Sequence, residues 1–291
     1  MVTSPIVTTT APVGQVLAPQ ASTSSSADAT ATPVEARAPD IAARTPDIRE
    51  RVSPPPDVEV RASEATEDAL AARARRLVAE AVPYIATQAY ADAHRALSIA
   101  YSARDSTQDG AIVNAVYAAW PSENSRVPAT SVAPVRARRL HEAARKAIAD
   151  GSSVANAMEI ELKAFGANPR DPDIAQYLAL LHLWTKPAQP EAARQLALYA
   201  IATSGQKRLT RVDYWNTFAV ASALSSREND ATAAFLVETA LTTSLDRSCR
   251  AALYAYTSYG ERLRTPVQAM LYRVQSHPRA YVSPSCAWPR Y

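Results

Sequence analysis

Apolar residues recur along this chain at a helical spacing. Leu70, Leu77 and Val78 lie on one face of a predicted helix, and apolar–polar alternation of the strand type is hard to find anywhere. Ser63, followed by Glu64 and Glu67, reads as a helix start with a hydroxyl cap and acids in the first turn. Short breaks at residues 168–172, 185–187, 204–205, 228–230 and at Gly260 divide the rest into segments that suit packed helices. The predicted order is helix, short loop, helix, repeated.

A longer period sits on top of this one. Small residues form triplets with internal spacings of 14 and 7: Ala143/Ala157/Ala164, Ala179/Ala193/Ala200, Ala219/Ala233/Ala240 and Ala255/Ala269/Ser276. An earlier set, Ala79/Ala93/Ala100, is set apart by an insertion of about thirty residues that contains Gly110 to Trp120. Fourteen of the fifteen positions are alanine, in a chain where alanine is about one residue in five. Antiparallel helices approach closely only where a small side chain admits the partner's ridge. One small residue on a first helix and two on a second, two turns apart, therefore predict a helical hairpin. Stacked hairpins bury a core that one hairpin cannot form alone.

These triplets, with a bulky residue before the first small one (Leu178-Ala179, Phe218-Ala219, Tyr254-Ala255), resemble the tetratricopeptide repeat family. Trp215 ahead of Phe218, Pro169 five residues after Ala164 and the link at 168–173 fit the same family. The resemblance covers about residues 136–278, and weakly 67–104. Glu142, Ala175, Glu161 and Arg273 depart from the family's pattern. The resemblance implies an all-α solenoid of stacked antiparallel hairpins that binds a protein segment in a groove lined by first helices. Carried over residue by residue, that groove is expected at Gln176, Leu180, Trp184, Asn216, Val220, Tyr256 and Tyr259. The alternative for Trp184 and the tyrosines is packing between repeats.

Composition narrows the reading. Residues 1–62 hold 9 of the 21 prolines and no aromatic residue, a composition expected of a disordered Ala/Pro/Ser/Thr-rich tail. The functional alternative for such a tail is a docking sequence or a spacer. The domain plan is then a tail at 1–62, an N-terminal helical region with one possible repeat and the insertion at 63–135, repeats at 136–280, and a capping tail at 281–291. The net charge of +3 is too small to suggest nucleic acid, and no apolar run is long enough to span a membrane. The first twenty residues lack a basic start and a compact apolar run, which favours the cytoplasm, with the cell envelope as the alternative.

Chemical motifs are sparse. Nucleophile elbow, phosphate loop and dinucleotide fingerprint are absent, and Gly151-Ser152-Ser153 reads as a helix stop and a cap. In His141-Glu142, Arg145 stands where a zinc-protease motif needs its second histidine, so no metal is expected. The arginines at 73, 75, 76, 136, 138, 139 and 145, with Lys146, form either a solvated face or a phosphate-contacting stripe. Cys249 and Cys286 either form a disulfide that pins the C-terminal tail over the last repeat or remain thiols. The expectation is a non-enzymatic adaptor with a protein partner and no cofactor. An envelope or secretion-assembly component, an enzyme of unknown class and a nucleic-acid binder are its rivals.

Overall fold

The computed structural model describes residues 56–103, 106–120, 127, 133–205, 211–277 and 286, with side chains from residue 66 onward. The tail expected at 1–62 lies outside these residues up to position 55. The capping tail at 281–291 lies outside them except for Cys286. Ten α-helices and no strand occur among the described residues: α1 (Pro56–Ser102), α2 (Asp109–Ala119), α3 (Pro134–Ala149), α4 (Val154–Ala167), α5 (Pro172–Trp184), α6 (Pro190–Ser204), α7 (Val212–Leu224), α8 (Glu228–Leu241), α9 (Leu245–Tyr259) and α10 (Arg264–Gln275).

Local chemistry explains most of the boundaries. Gly151 ends α3 at a φ of 84°, and the amides of Gly151 and Ser152 return to the carbonyls of Ile148 and Ala147. The Ser153 hydroxyl then caps α4 by accepting from the Asn156 amide at 3.2 Å. Asp171 caps α5 through the Asp173 amide at 3.0 Å, with Pro172 in the first turn. Gly205 and Gly260 follow α6 and α9 with φ of 59° and 80°. The break expected at 228–230 falls slightly earlier. Ser226 turns the chain at a φ of 60°, and Glu228 to Asp230 form the acidic first turn of α8.

α3–α4, α5–α6, α7–α8 and α9–α10 are consecutive helix pairs with one small triplet residue on the first member and two on the second, except that Ser276 falls just past the end of α10. The all-α hairpin stack is therefore present. Ten of the fifteen small positions are buried: Ala93, Ala100, Ala157, Ala164, Ala179, Ala193, Ala200, Ala219, Ala233 and Ala255. The register weakens at both ends of the stack. Ala143 is exposed while its neighbour Ala144 is fully buried, so the first hairpin sits one residue later than expected. Leu178 and Phe218 are buried in the core, where each stabilises by about 1.5–3 kcal/mol. Tyr254, the corresponding residue of the last hairpin, points to solvent.

The N-terminal region differs most from expectation. No hairpin forms at 67–102, and position 63 lies inside a helix rather than at its start. One 47-residue helix, α1, runs through both positions and packs in turn against α4, α6 and α8, all of them second helices. Its buried stripe includes Ala74, Ile85, Ala89, Ala93, Ala96 and Ala100. Near its start α1 almost touches α4: a Cβ on Gly166 would lie 2.1 Å from the Leu70 carbonyl oxygen, so only glycine permits this crossing. The insertion forms α2, which packs on α1 and α8, and Trp120 just after it meets Trp215 edge-on at 5.6 Å. Arg273, on an otherwise apolar face of α10, is buried against Asp109 at the start of α2. This ion pair explains one departure from the repeat pattern.

At the other end of the stack, Cys249 on α9 and Cys286 are joined by a disulfide, with both residues buried and their Cα atoms 5.8 Å apart. The bond fixes residue 286 to the last hairpin.

Candidate functional site

With α1 lying over the second helices, the first helices present the face with the greater chemical variety. Two adjoining clefts cross it. The larger, about 520 Å³, is lined from α3 by Arg138, His141, Glu142 and Arg145, and across α5 to the start of α7 by residues that include Asp173, Tyr177 and Arg211. The smaller, about 190 Å³, lies between α5, α7 and α9 and takes in Asn216, Thr217, Glu238, Arg247, Ser248 and Ala251. Gln176, Leu180 and Asp213 line both, so the two form one groove.

Of the residues expected in the groove, Gln176, Leu180 and Asn216 line the clefts. Val220 and Tyr256 do not. Val220 is a core residue, and Tyr256 is buried with its hydroxyl donating to Glu261 at 3.0 Å. Trp184 is partly exposed at the end of α5, edge-on to Tyr177 at 6.2 Å and near the half-buried Tyr259. His141 in turn meets Tyr177 edge-on at 5.5 Å, so an aromatic row runs beside the groove. The groove follows the N-terminal halves of α7 and α9, and Val220 and Tyr256, further along these helices, are covered by packing. His182, expected as a packing or groove residue, is half-buried against Gln189 at 2.8 Å, and burial holds its imidazole below the ordinary range.

Two carboxyl groups reach this face from the second helices, and neither belongs to the expected set. Glu161 of α4 is fully buried, with Oε1 2.8 Å from His141 Nδ1. Burial pushes the Glu161 carboxyl above its ordinary range, with His141 pulling the other way. Burial also works against charge on His141, but the hydrogen bond and the charge of Glu161 outweigh it and lift the imidazole. Glu238 of α8 is also buried, and its Oε2 accepts from Asn216 Nδ2 at 3.1 Å. Burial pushes Glu238 up to about 8, against the Asn216 hydrogen bond and the nearby Ser248 hydroxyl, with Asp213 raising it further and Arg247 lowering it. At neutral pH Glu238 is predominantly the neutral acid.

The rim is charged and internally paired. Arg211 lies 3.1 Å from Asp173 and 3.8 Å from Asp213, and Arg247 lies 3.5 Å from Asp213. Such partly exposed pairs stabilise by less than about 1 kcal/mol, so they can exchange partners. The basic cluster is dispersed. Arg75 meets Glu159, Arg136 meets Glu67 at 3.8 Å, Lys146 meets Asp150 at 2.8 Å, and Arg138 and Arg145 face the groove. Among the described residues no group of three or more His, Cys, Asp or Glu side chains could hold a metal ion, and no helix is long and apolar enough to cross a membrane.

One signal for the missed acids was present in the sequence. Glu238 interrupts the apolar run Phe235-Leu236-Val237, and Glu161 occupies an apolar repeat position. A lone acid on a buried helix face needs a partner, and here both partners come from neighbouring first helices. Comparison of the chain with protein-family models, with curated proteins and with solved structures finds no match.

Proposed function

We propose that this chain is a non-enzymatic scaffold of tetratricopeptide-like type that binds a segment of a partner protein along the first-helix groove. The observation that supports the reading is the continuity of the two clefts across α3, α5, α7 and α9, with exchangeable ion pairs at the rim and Tyr177, Trp184 and Tyr259 beside them. Aromatic side chains flanking a polar groove supply contact area at low entropy cost. The test is site-specific photo-crosslinking of the full chain in native extract from positions 180 and 251, with exposed position 79 on α1 as the control. The expected result is a discrete protein adduct from the groove positions only. Equal labelling from position 79, or no adduct together with substrate turnover, rejects the reading.

The disulfide favours a second reading of the same scaffold, as an assembly component of the cell envelope or a secretion system. Disulfides persist in oxidising compartments and are rare in the cytosol. Thiol counting on protein taken from its native compartment decides between them: two free thiols place the chain in a reducing environment.

A further inference from the structure

The smaller cleft is built for a particular chemistry. Gln176 is 7% exposed, and its Nε2 donates to the Asp213 main-chain oxygen at 3.0 Å and to the Thr217 hydroxyl. Because a carbonyl oxygen only accepts, this pair of bonds fixes which end of the amide is nitrogen. The opposite end, Oε1, is buried with no hydrogen-bond partner. An unpaired buried acceptor is costly, so it calls for an occupant. Glu238 and Ser248, on the same cleft, carry hydroxyl-type donors, and Leu180, Val212 and Ala251 supply apolar wall.

We infer that the cleft between α5, α7 and α9 is a recognition subsite for a carboxamide, the side chain of a glutamine or asparagine in the bound segment. The inference rests on the scaffold reading and names what that groove selects. The amide nitrogen of the ligand donates to Gln176 Oε1. The ligand carbonyl accepts from the protonated Glu238 carboxyl or from Ser248. The methylenes of the ligand lie on Leu180 and Ala251. A carboxylate of the same shape also accepts from Glu238, but it brings its second oxygen against the Gln176 oxygen with no proton to donate. An ammonium donates but offers nothing to the Glu238 proton.

The groups that face Glu238 set the pH response: Asp213 and Asn216 on α7, and Arg247 and Ser248 on α9. Below its pKa of about 8 the carboxyl donates, and above it that donor is lost. The cleft therefore accepts an amide best on the acid side.

The test titrates the full chain with N-acetyl-glutamine methylamide and with its glutamate and lysine counterparts, following the side-chain amide signals of Gln176 and Asn216 by NMR. The glutamine probe is expected to give saturable shifts that weaken once the pH passes that of Glu238. The glutamate probe is expected to bind about tenfold more weakly or worse, as a site with fixed hydrogen bonds rejects the wrong isostere. Gln176→Met should abolish the response. Because Gln176 also links α5 to α7, Glu238→Gln serves as the second variant. It keeps a donor without a titrating proton, and it should bind the glutamine probe with no pH dependence. A lysine response that tightens with rising pH, equal responses to all three probes, or a silent glutamine probe overturns the subsite. A silent probe alongside partner adducts from positions 180 and 251 removes the subsite and leaves the scaffold. Saturable glutamine binding with no groove adducts does the reverse.

Discussion

The two faces of the hairpin stack use different side chains for opposite ends. Where α1 crosses α4, α6 and α8 the buried centre is built largely of alanine and aliphatic side chains, with polar pairs such as Arg75–Glu159 and Tyr90–Asp230 at its edges, and at α4 the helices approach until a Cβ at position 166 would meet backbone. On the first-helix face the same hairpins carry acids, arginines and amides, and a groove remains. Small apolar residues close a surface because they leave nothing to hydrate and nothing to keep helices apart. Polar residues keep a surface open because their desolvation has to be matched group by group. The chain assigns one composition to each face, so their responses to substitution should differ in kind.

The largest expected effect lies on the closed face. Gly166→Leu forces α1 away from α4 and should lower stability by roughly 3 kcal/mol, read by chemical denaturation. Retention of full stability would show that α1 docks more loosely than its contact with Gly166 requires. On the open face, His141→Ala leaves Glu161 buried without its partner and should cost about 2 kcal/mol. It should also change the pH profile. His141 titrates above its ordinary value in the native state, so its contribution is complete below the unfolded value of 6.5 and fades as pH rises through the native one. The variant should lack that decline.

Glu238→Gln should act in the opposite direction. The native carboxyl keeps a proton that the unfolded chain releases near 4.5, so stability falls as pH climbs from there to about 8. Removing the titrating group should flatten this slope and stabilise the protein by about 1–2 kcal/mol on the alkaline side. An unchanged slope in the variant would mean that Glu238 is ionised in the native state. The smallest effect separates two alanines of the same helix. Ala79→Leu, at an exposed site, should change stability by less than about 0.5 kcal/mol, whereas Ala93→Leu at a buried one should cost about 1–3 kcal/mol.

That last pair also shows what the sequence could convey. Spacings of 14 and 7 are near-multiples of two helical turns, so they occur in a hairpin and in one long helix alike. A straight helix drifts by about 20° per heptad, which carries Ala79 off the buried stripe that holds Ala93 and Ala100. The stop and cap at 151–153 and the breaks at 168–172 and 204–205 were legible because turn and cap residues act within a few positions. The groove was legible where the hairpin register is regular, at Gln176, Leu180 and Asn216. It was lost at Val220 and Tyr256, where packing between helices decides exposure. The buried acids were missed because their meaning depends on residues 20 and 22 positions away, on other helices.

Helix α1 carries a mechanical consequence. At about 1.5 Å per residue its 47 residues form a rod of roughly 70 Å, fastened to three hairpins in succession. An ordinary repeat array bends and stretches like a spring, because each unit touches only its neighbours. Here a splint runs alongside the coils. The spacing between the Arg138 and Arg247 ends of the groove is then set before any ligand arrives, and pulling on the stack should give one abrupt rupture rather than a staircase of single-hairpin steps.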